Sequence, residues 1–104
     1  MGLRQAAPRL RKIRRLEPSL RALGVGAALL FGSVARDETG DFSDIDIALR
    51  PASAAGIAPL TLISIHGVLG DEFGHGAPID VVVLPCKNPD LNAAIEREGV
   101  LAFS

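Results

Sequence analysis

Three apolar runs restrict this chain more than anything else in it: "VGAALLF" at Val25–Phe31, "IDIALR" at Ile45–Arg50 and "IDVVVL" at Ile79–Leu84. Gly24 and Gly32 bound the first, Pro51 stops the second, and Pro78 and Pro85 bracket the third. Runs of about 4–8 residues between such breakers have the length of strands and are too short for buried helices. The middle run also alternates, with Ile45, Ile47 and Leu49 on one side and Asp44, Asp46 and Ala48 on the other, which is the period of a strand with two unlike faces. A chain built on these runs must form a sheet and must cover its apolar face.

Helical periodicity supplies the cover. Leu10, Ile13, Leu16, Leu20 and Leu23 fall within roughly 140° of a wheel turning about 100° per residue. Pro18 is expected to end or kink that helix near Glu17, leaving two pieces that pack on the same surface. Leu62, Ile65, Leu69 and Phe73 predict a further helix over roughly Leu60–Phe73. Beyond it, Asn88 is placed to cap a helix that begins at Pro89, and Gly99 is expected to close it in the left-handed conformation. The last run, "VLAF" at Val100–Phe103, is expected as a short edge strand or as a segment covered by a partner. These elements add up to an α/β (α+β) fold, a mixed β-sheet of three to four strands flanked by helices. With 104 residues, 48% of them hydrophobic, there is material for one core, so residues 1–104 are expected to form a single domain.

Composition narrows the partners. The net charge is −1, yet seven of the eleven basic residues lie in the first 21 positions, where Glu17 is the only acid. That segment reads as the solvated back of a packed helix, as a patch facing a partner or a nucleotide, or as a targeting segment. Four Phe with no Trp or Tyr leave little to stack on bases, which argues against sequence-specific nucleic-acid binding. The single Cys86 cannot form an internal disulfide, and no apolar run approaches the roughly 20 residues that cross a bilayer. A reducing, cytoplasmic setting is expected.

The chemistry gathers around the second strand. Asp44 and Asp46 lie two apart and share a face, and carboxylates that close repel unless a cation stands between them. A donor set made only of oxygen suits Mg²⁺, which shares its coordination with substrate phosphates. Asp80 interrupts an otherwise continuous apolar run and needs a partner of the same kind. Ahead of the acidic strand, Gly32 lets a ligand approach the backbone closely, and Ser33 to Arg36 can open a helical turn whose N–H groups bind phosphate. A phosphate-binding turn aimed at carboxylates describes a nucleotidyl- or phosphoryl-transfer site.

These residues resemble a known family. "GSVARDETGDFSDIDIAL" is similar to the Gly-Ser-x-Ala-Arg and Ser-Asp-x-Asp signature of the minimal nucleotidyltransferases, within the DNA polymerase beta superfamily. Gly32, Ser33, Ala35, Arg36, Ser43, Asp44 and Asp46 match in spacing, and Asp80 falls where that family places a third carboxylate. The resemblance reaches from "LRALGV" to the closing "IEREGVLAF". It implies ATP as donor and Mg²⁺ as cofactor, with Gly32 and Ser33 on the triphosphate, Arg36 and Ser43 at the nucleotide, and Asp44, Asp46 and Asp80 as catalytic metal ligands. It further implies an antitoxin that transfers AMP to a tyrosine of a HEPN-type helical toxin. A domain this short can build the donor site but has little surface to enclose an acceptor, so the partner protein is expected to supply the other half.

The chain departs from the signature at Asp37, followed by Glu38, where the family usually carries Gly. Asp tolerates a left-handed turn better than most residues, yet added negative charge beside a triphosphate also fits an antitoxin that neutralises its partner by binding alone. Arg36 fits a pairing with a neighbouring carboxylate as well as it fits phosphate, and Ser43 fits a turn or a cap. His66 reads as a packed or half-exposed side chain, His75 as a loop residue and Cys86 as a small apolar one, with no metal-ligand spacing between the last two.

Overall fold

The computed structural model describes residues 6–32 and 45–104. Val25–Phe31 forms β1, flanked by an antiparallel strand on each side, β2 (Ile45–Pro51) and β4 (Val100–Phe103). The fourth strand, β3 (Ile79–Val83), runs parallel to β2, so the order across the mixed sheet is β3-β2-β1-β4. The position of β1 explains its composition. Val25, Ala28 and Leu30 enter the core on one face and Leu29 enters the core on the other, so the strand has no wet side and reads as a continuous apolar run. "VLAF" forms an edge strand.

Among the described residues four helices flank the sheet: α1 (Ala6–Arg15), α2 (Glu17–Ala22), α3 (Pro59–Phe73) and α4 (Pro89–Glu98). Pro18 lies in the first turn of α2, where a missing N–H costs nothing, so the break falls at Leu16 and both pieces keep to one surface. Leu10, Ile13 and Leu20 pack there with Ile65 and Leu69 of α3 against Ile45, Ile47 and Leu49 of β2. α3 is the crossover that two parallel strands require. On the opposite face α4 sets Ile95 against Leu29, Ala48 and Leu84. Among the described residues, no helix is long and apolar enough to cross a membrane.

The ends of α4 divide the expectations made for it. Asn88 caps it, its side chain accepting from the N–H groups of Asp90 at 2.9 Å and Leu91 at 3.2 Å. Gly99, expected in the left-handed region, is instead extended at φ −66° and ψ 143°. The chain enters β4 at the next residue, so there is no room for a reversing cap. Glycine is needed here for closeness, because a Cβ would stand 2.5 Å from the Ile95 carbonyl oxygen and 3.2 Å from Leu29 Cδ2.

Two arginines of the basic helices hold β4. Arg14 Nε donates to the Ala102 carbonyl at 2.8 Å. Arg21 lies 5.1 Å from the centroid of the Phe103 ring and donates to the main-chain oxygen of Ser104 at 2.7 Å. Because α1 and α2 share the face of Ile45 and Ile47, they lie across the sheet from Asp46. Arg14 and Arg21 thus serve the strand edge and do not face a nucleotide at the carboxylates.

Candidate functional site

Strand alternation and register decide what meets at the site. β2 turns Ile45 and Ile47 into the core, which sends the intervening Asp46 to the face carrying α4. The parallel register places Asp46 beside Asp80, with Ile45 beside Ile79 and Ile47 beside Val81. Laterally paired residues share a face, and neighbouring strands stand about 4.8 Å apart, so the two carboxylates are adjacent. Asp46 is half-buried and Asp80 exposed. On the other side of Asp46 the antiparallel register brings Phe31, half-buried against the Leu29 and Ala48 cluster. Across three strands the row reads Asp80, Asp46, Phe31.

Gly32 follows at the end of β1, with φ +77°. A Cβ at this position would overlap Asp46 Oδ2 and stand 3.1 Å from its Cγ. The Asp46 carboxylate therefore rests against the Gly32 backbone, which positive φ and the missing side chain both permit. The expectation that Gly32 admits a close approach is met first by the protein's own carboxylate.

Of the residues singled out in the sequence, the structure brings together Gly32, Asp46 and Asp80. Ser33, Arg36, Asp37, Glu38, Ser43 and Asp44 lie outside the described residues. Among the described residues no group of three or more His, Cys, Asp or Glu side chains is placed to hold a metal ion. The pair Asp46 and Asp80 offers only oxygen, which fits a hard cation such as Mg²⁺ completed by further oxygen donors.

His66, His75 and Cys86 lie outside the strands that carry this row. His66 is exposed on α3, more open than its place at the border of the apolar stripe suggests. His75 Nε2 lies 3.2 Å from Asp71 Oδ1, both side chains in solvent. Cys86 is bound rather than merely packed: Asn92 Oδ1 accepts from its backbone N–H at 2.9 Å and from its thiol at 3.0 Å, while Asn92 Nδ2 donates to its carbonyl at 2.8 Å. Sequence reasoning passed over Asn92 and also over Phe31 as a neighbour of Asp46. Alternation on β1 puts Phe31 on the Leu29 face, but only the register shows it beside a carboxylate. A cleft of about 930 Å³ opens at the far end of β2 and β3, between Arg50, Ser53, Leu84 and Glu96. It contains the Arg50–Glu96 ion pair and lies at the carboxyl ends of strands whose amino ends carry Asp46 and Asp80.

Solved structures that share this fold include two toxin–antitoxins. One is a toxin–antitoxin crystallised with AMP-PNP, 23% identical over 91% of this chain and 73% of that chain, with a TM-score of 0.71. The other is the toxin–antitoxin MntA-HpeT with two Asp-to-Glu substitutions, 18% identical over 86% of this chain and 70% of that one, with a TM-score of 0.66. Comparison with curated proteins gave no match. The family model described as "Polymerase beta, Nucleotidyltransferase" matches residues 16–104, a span that contains β1 to β4, Gly32, Asp46 and Asp80. This chain belongs to the polymerase beta nucleotidyltransferase family.

Proposed function

We propose that this chain transfers AMP from ATP to a hydroxyl group of a protein partner, a tyrosine of a HEPN-type helical toxin, and so acts as its antitoxin. The observation that carries the reading is the in-register pairing of Asp46 with Asp80 beside Gly32. Family membership supports nucleotidyl transfer, and the toxin–antitoxin character of the similar structures, one of them with AMP-PNP, supports a toxin partner and a nucleotide.

In this reading the phosphates of ATP lie against the turn at Gly32 and Ser33, with Arg36 and Ser43 at the nucleotide. Asp44, Asp46 and Asp80 would hold Mg²⁺, which when bound supplies neutralisation of phosphate charge. The acceptor hydroxyl oxygen attacks the α-phosphorus and forms the new P–O bond. The bond from that phosphorus to the α,β-bridging oxygen breaks, pyrophosphate leaves with the electron pair, and Asp80 takes the hydroxyl proton. Asp46, held against Gly32, presents its carboxylate in a set position.

Incubation with α-labelled ATP, Mg²⁺ and the protein encoded by the neighbouring gene tests the reading. Label on the partner, lost in Asp46→Asn and Asp44→Asn, is the expected result. Tight complex formation with no transfer refutes it in favour of an antitoxin that acts by binding alone, the reading that Asp37 and Glu38 in the signature favour.

A further inference from the structure

The two edges of the sheet are treated differently. At β4, the main-chain oxygens of Ala102 and of Ser104 just beyond the strand are already engaged by Arg14 and Arg21. On β3 the hydrogen-bond ladder leaves every second residue facing away from the sheet. The Ile45 N–H donates to the Pro78 carbonyl at 2.7 Å and the Leu84 N–H to the Leu49 carbonyl at 2.8 Å. With the parallel register this turns the backbone of Asp80 and Val82 toward β2 and that of Ile79, Val81 and Val83 outward. Among the described residues no strand pairs with that outer edge.

Edge strands in soluble proteins are commonly blunted by Lys, Pro, a bulge or a covering segment. β3 carries no Lys, Pro or bulge within Ile79–Val83; four of its five residues are β-branched and apolar, and all four are only partly buried. Its one charged residue is Asp80, at the candidate site.

We propose that the outer edge of β3 is the docking strand for the acceptor polypeptide. An extended segment of the partner adds to Ile79–Val83 through main-chain hydrogen bonds, a recognition mode in which the backbone supplies affinity and alternate side chains supply specificity. The inference rests on the transfer reading given above and says how the acceptor is presented. A residue of the added strand opposite Asp80 points to the face of Asp80 and Asp46, one strand spacing of about 4.8 Å farther out. Its side chain extends the row Asp46, Asp80 by one place, so a hydroxyl on a long side chain reaches the carboxylates from the side. A second copy of this chain is the poorer occupant. Antiparallel pairing of two β3 strands about Val81 would set the two Asp80 side chains diagonally, about 7–8 Å apart, and add like charge to a row that already holds a carboxylate pair.

Hydrogen exchange on the full chain, alone and in complex with the protein encoded by the neighbouring gene, tests the docking. In the free chain the amides of Asp80 and Val82 exchange slowly and those of Ile79, Val81 and Val83 fast. In the complex the latter three slow by at least about tenfold. Val81→Pro removes an outward N–H and spares the ladder to β2; it is expected to raise KM for the protein acceptor at least about tenfold and to leave KM for ATP in place. Unchanged exchange at Ile79, Val81 and Val83 in the complex overturns the proposal, as does Val81→Pro transferring label with the wild-type KM for acceptor. Protection that appears on concentrating the chain without its partner also overturns it and identifies a second copy as the occupant. Edge protection without any label transfer keeps the docking strand and refutes the transfer reading, so the two fail separately.

Discussion

Replacing Gly32 by Ala tests the central geometric statement, that the Asp46 carboxylate is positioned by the absence of a side chain across from it. Two costs arise. At φ +77° an L side chain meets strain of about 1–2 kcal/mol. The new Cβ would also overlap Asp46 Oδ2, and that oxygen must retreat by about 1 Å, a displacement that costs on the order of 10²-fold in rate when it misplaces a reacting group. Asp46 is half-buried at a strand end, so the overlap displaces its carboxylate without disturbing the apolar core and the clash falls on alignment more than on stability. Urea unfolding should therefore show a loss of about 1–2 kcal/mol, while label transfer to the partner drops about 10²-fold. Gly24→Ala supplies the control, because it has φ +95° with nothing within 4 Å of the added atom. It should cost similar stability and leave transfer alone. Transfer by Gly32→Ala within about threefold of wild type, or an equal loss in Gly24→Ala, would refute the reasoning by showing that Asp46 is held by something other than Gly32.

Other substitutions separate the parts of the fold. Gly99→Ala puts a Cβ 2.5 Å from the Ile95 carbonyl oxygen, and strain of about 1–3 kcal/mol should appear as a lowered urea midpoint; an unchanged midpoint would mean that α4 and β4 are not so closely joined. Ile47→Ala empties a site with 0% exposure and should cost about 2–5 kcal/mol, whereas Ile63→Ser on α3, 68% exposed, should stay within about 0.5 kcal/mol. Equal effects of these two changes on thermal unfolding would contradict the placement of the core. Removing Mg²⁺ with a chelator should stop label transfer and leave the melting curve of the free chain unchanged, since the described core is built from apolar residues alone; unfolding on chelation would make the metal structural.

Much of the framework was legible because its signals are local. The alternation in "IDIALR" is enough to oppose Asp46 to Ile45 and Ile47, and the i, i+3, i+7 spacing of Leu62, Ile65 and Leu69 is enough for the helix that connects β2 to β3. Asn88 announces its cap through side-chain chemistry that acts within three residues. Gly99 shows where such reading fails. A glycine after a helix fits a left-handed cap and a close approach equally well, and only the packing of Leu29 under the last turn of α4 decides between them.

The sequence by itself determined which residues can be strands and helices, and which face of its strand Asp46 takes, because both follow from side-chain periods of a few residues. Only the tertiary structure decided that Asp46 lies beside Asp80, 34 positions later. Parallel register is not set by a turn. It depends on the seating of α3 through Ile65 and Leu69 and on the bond from Ile45 to Pro78, and a slip of one residue would send Asp80 into the core face. The contact of Gly32 with the Asp46 carboxylate and the outer edge of β3, unpaired among the described residues, are decided the same way, by which strand lies next to which.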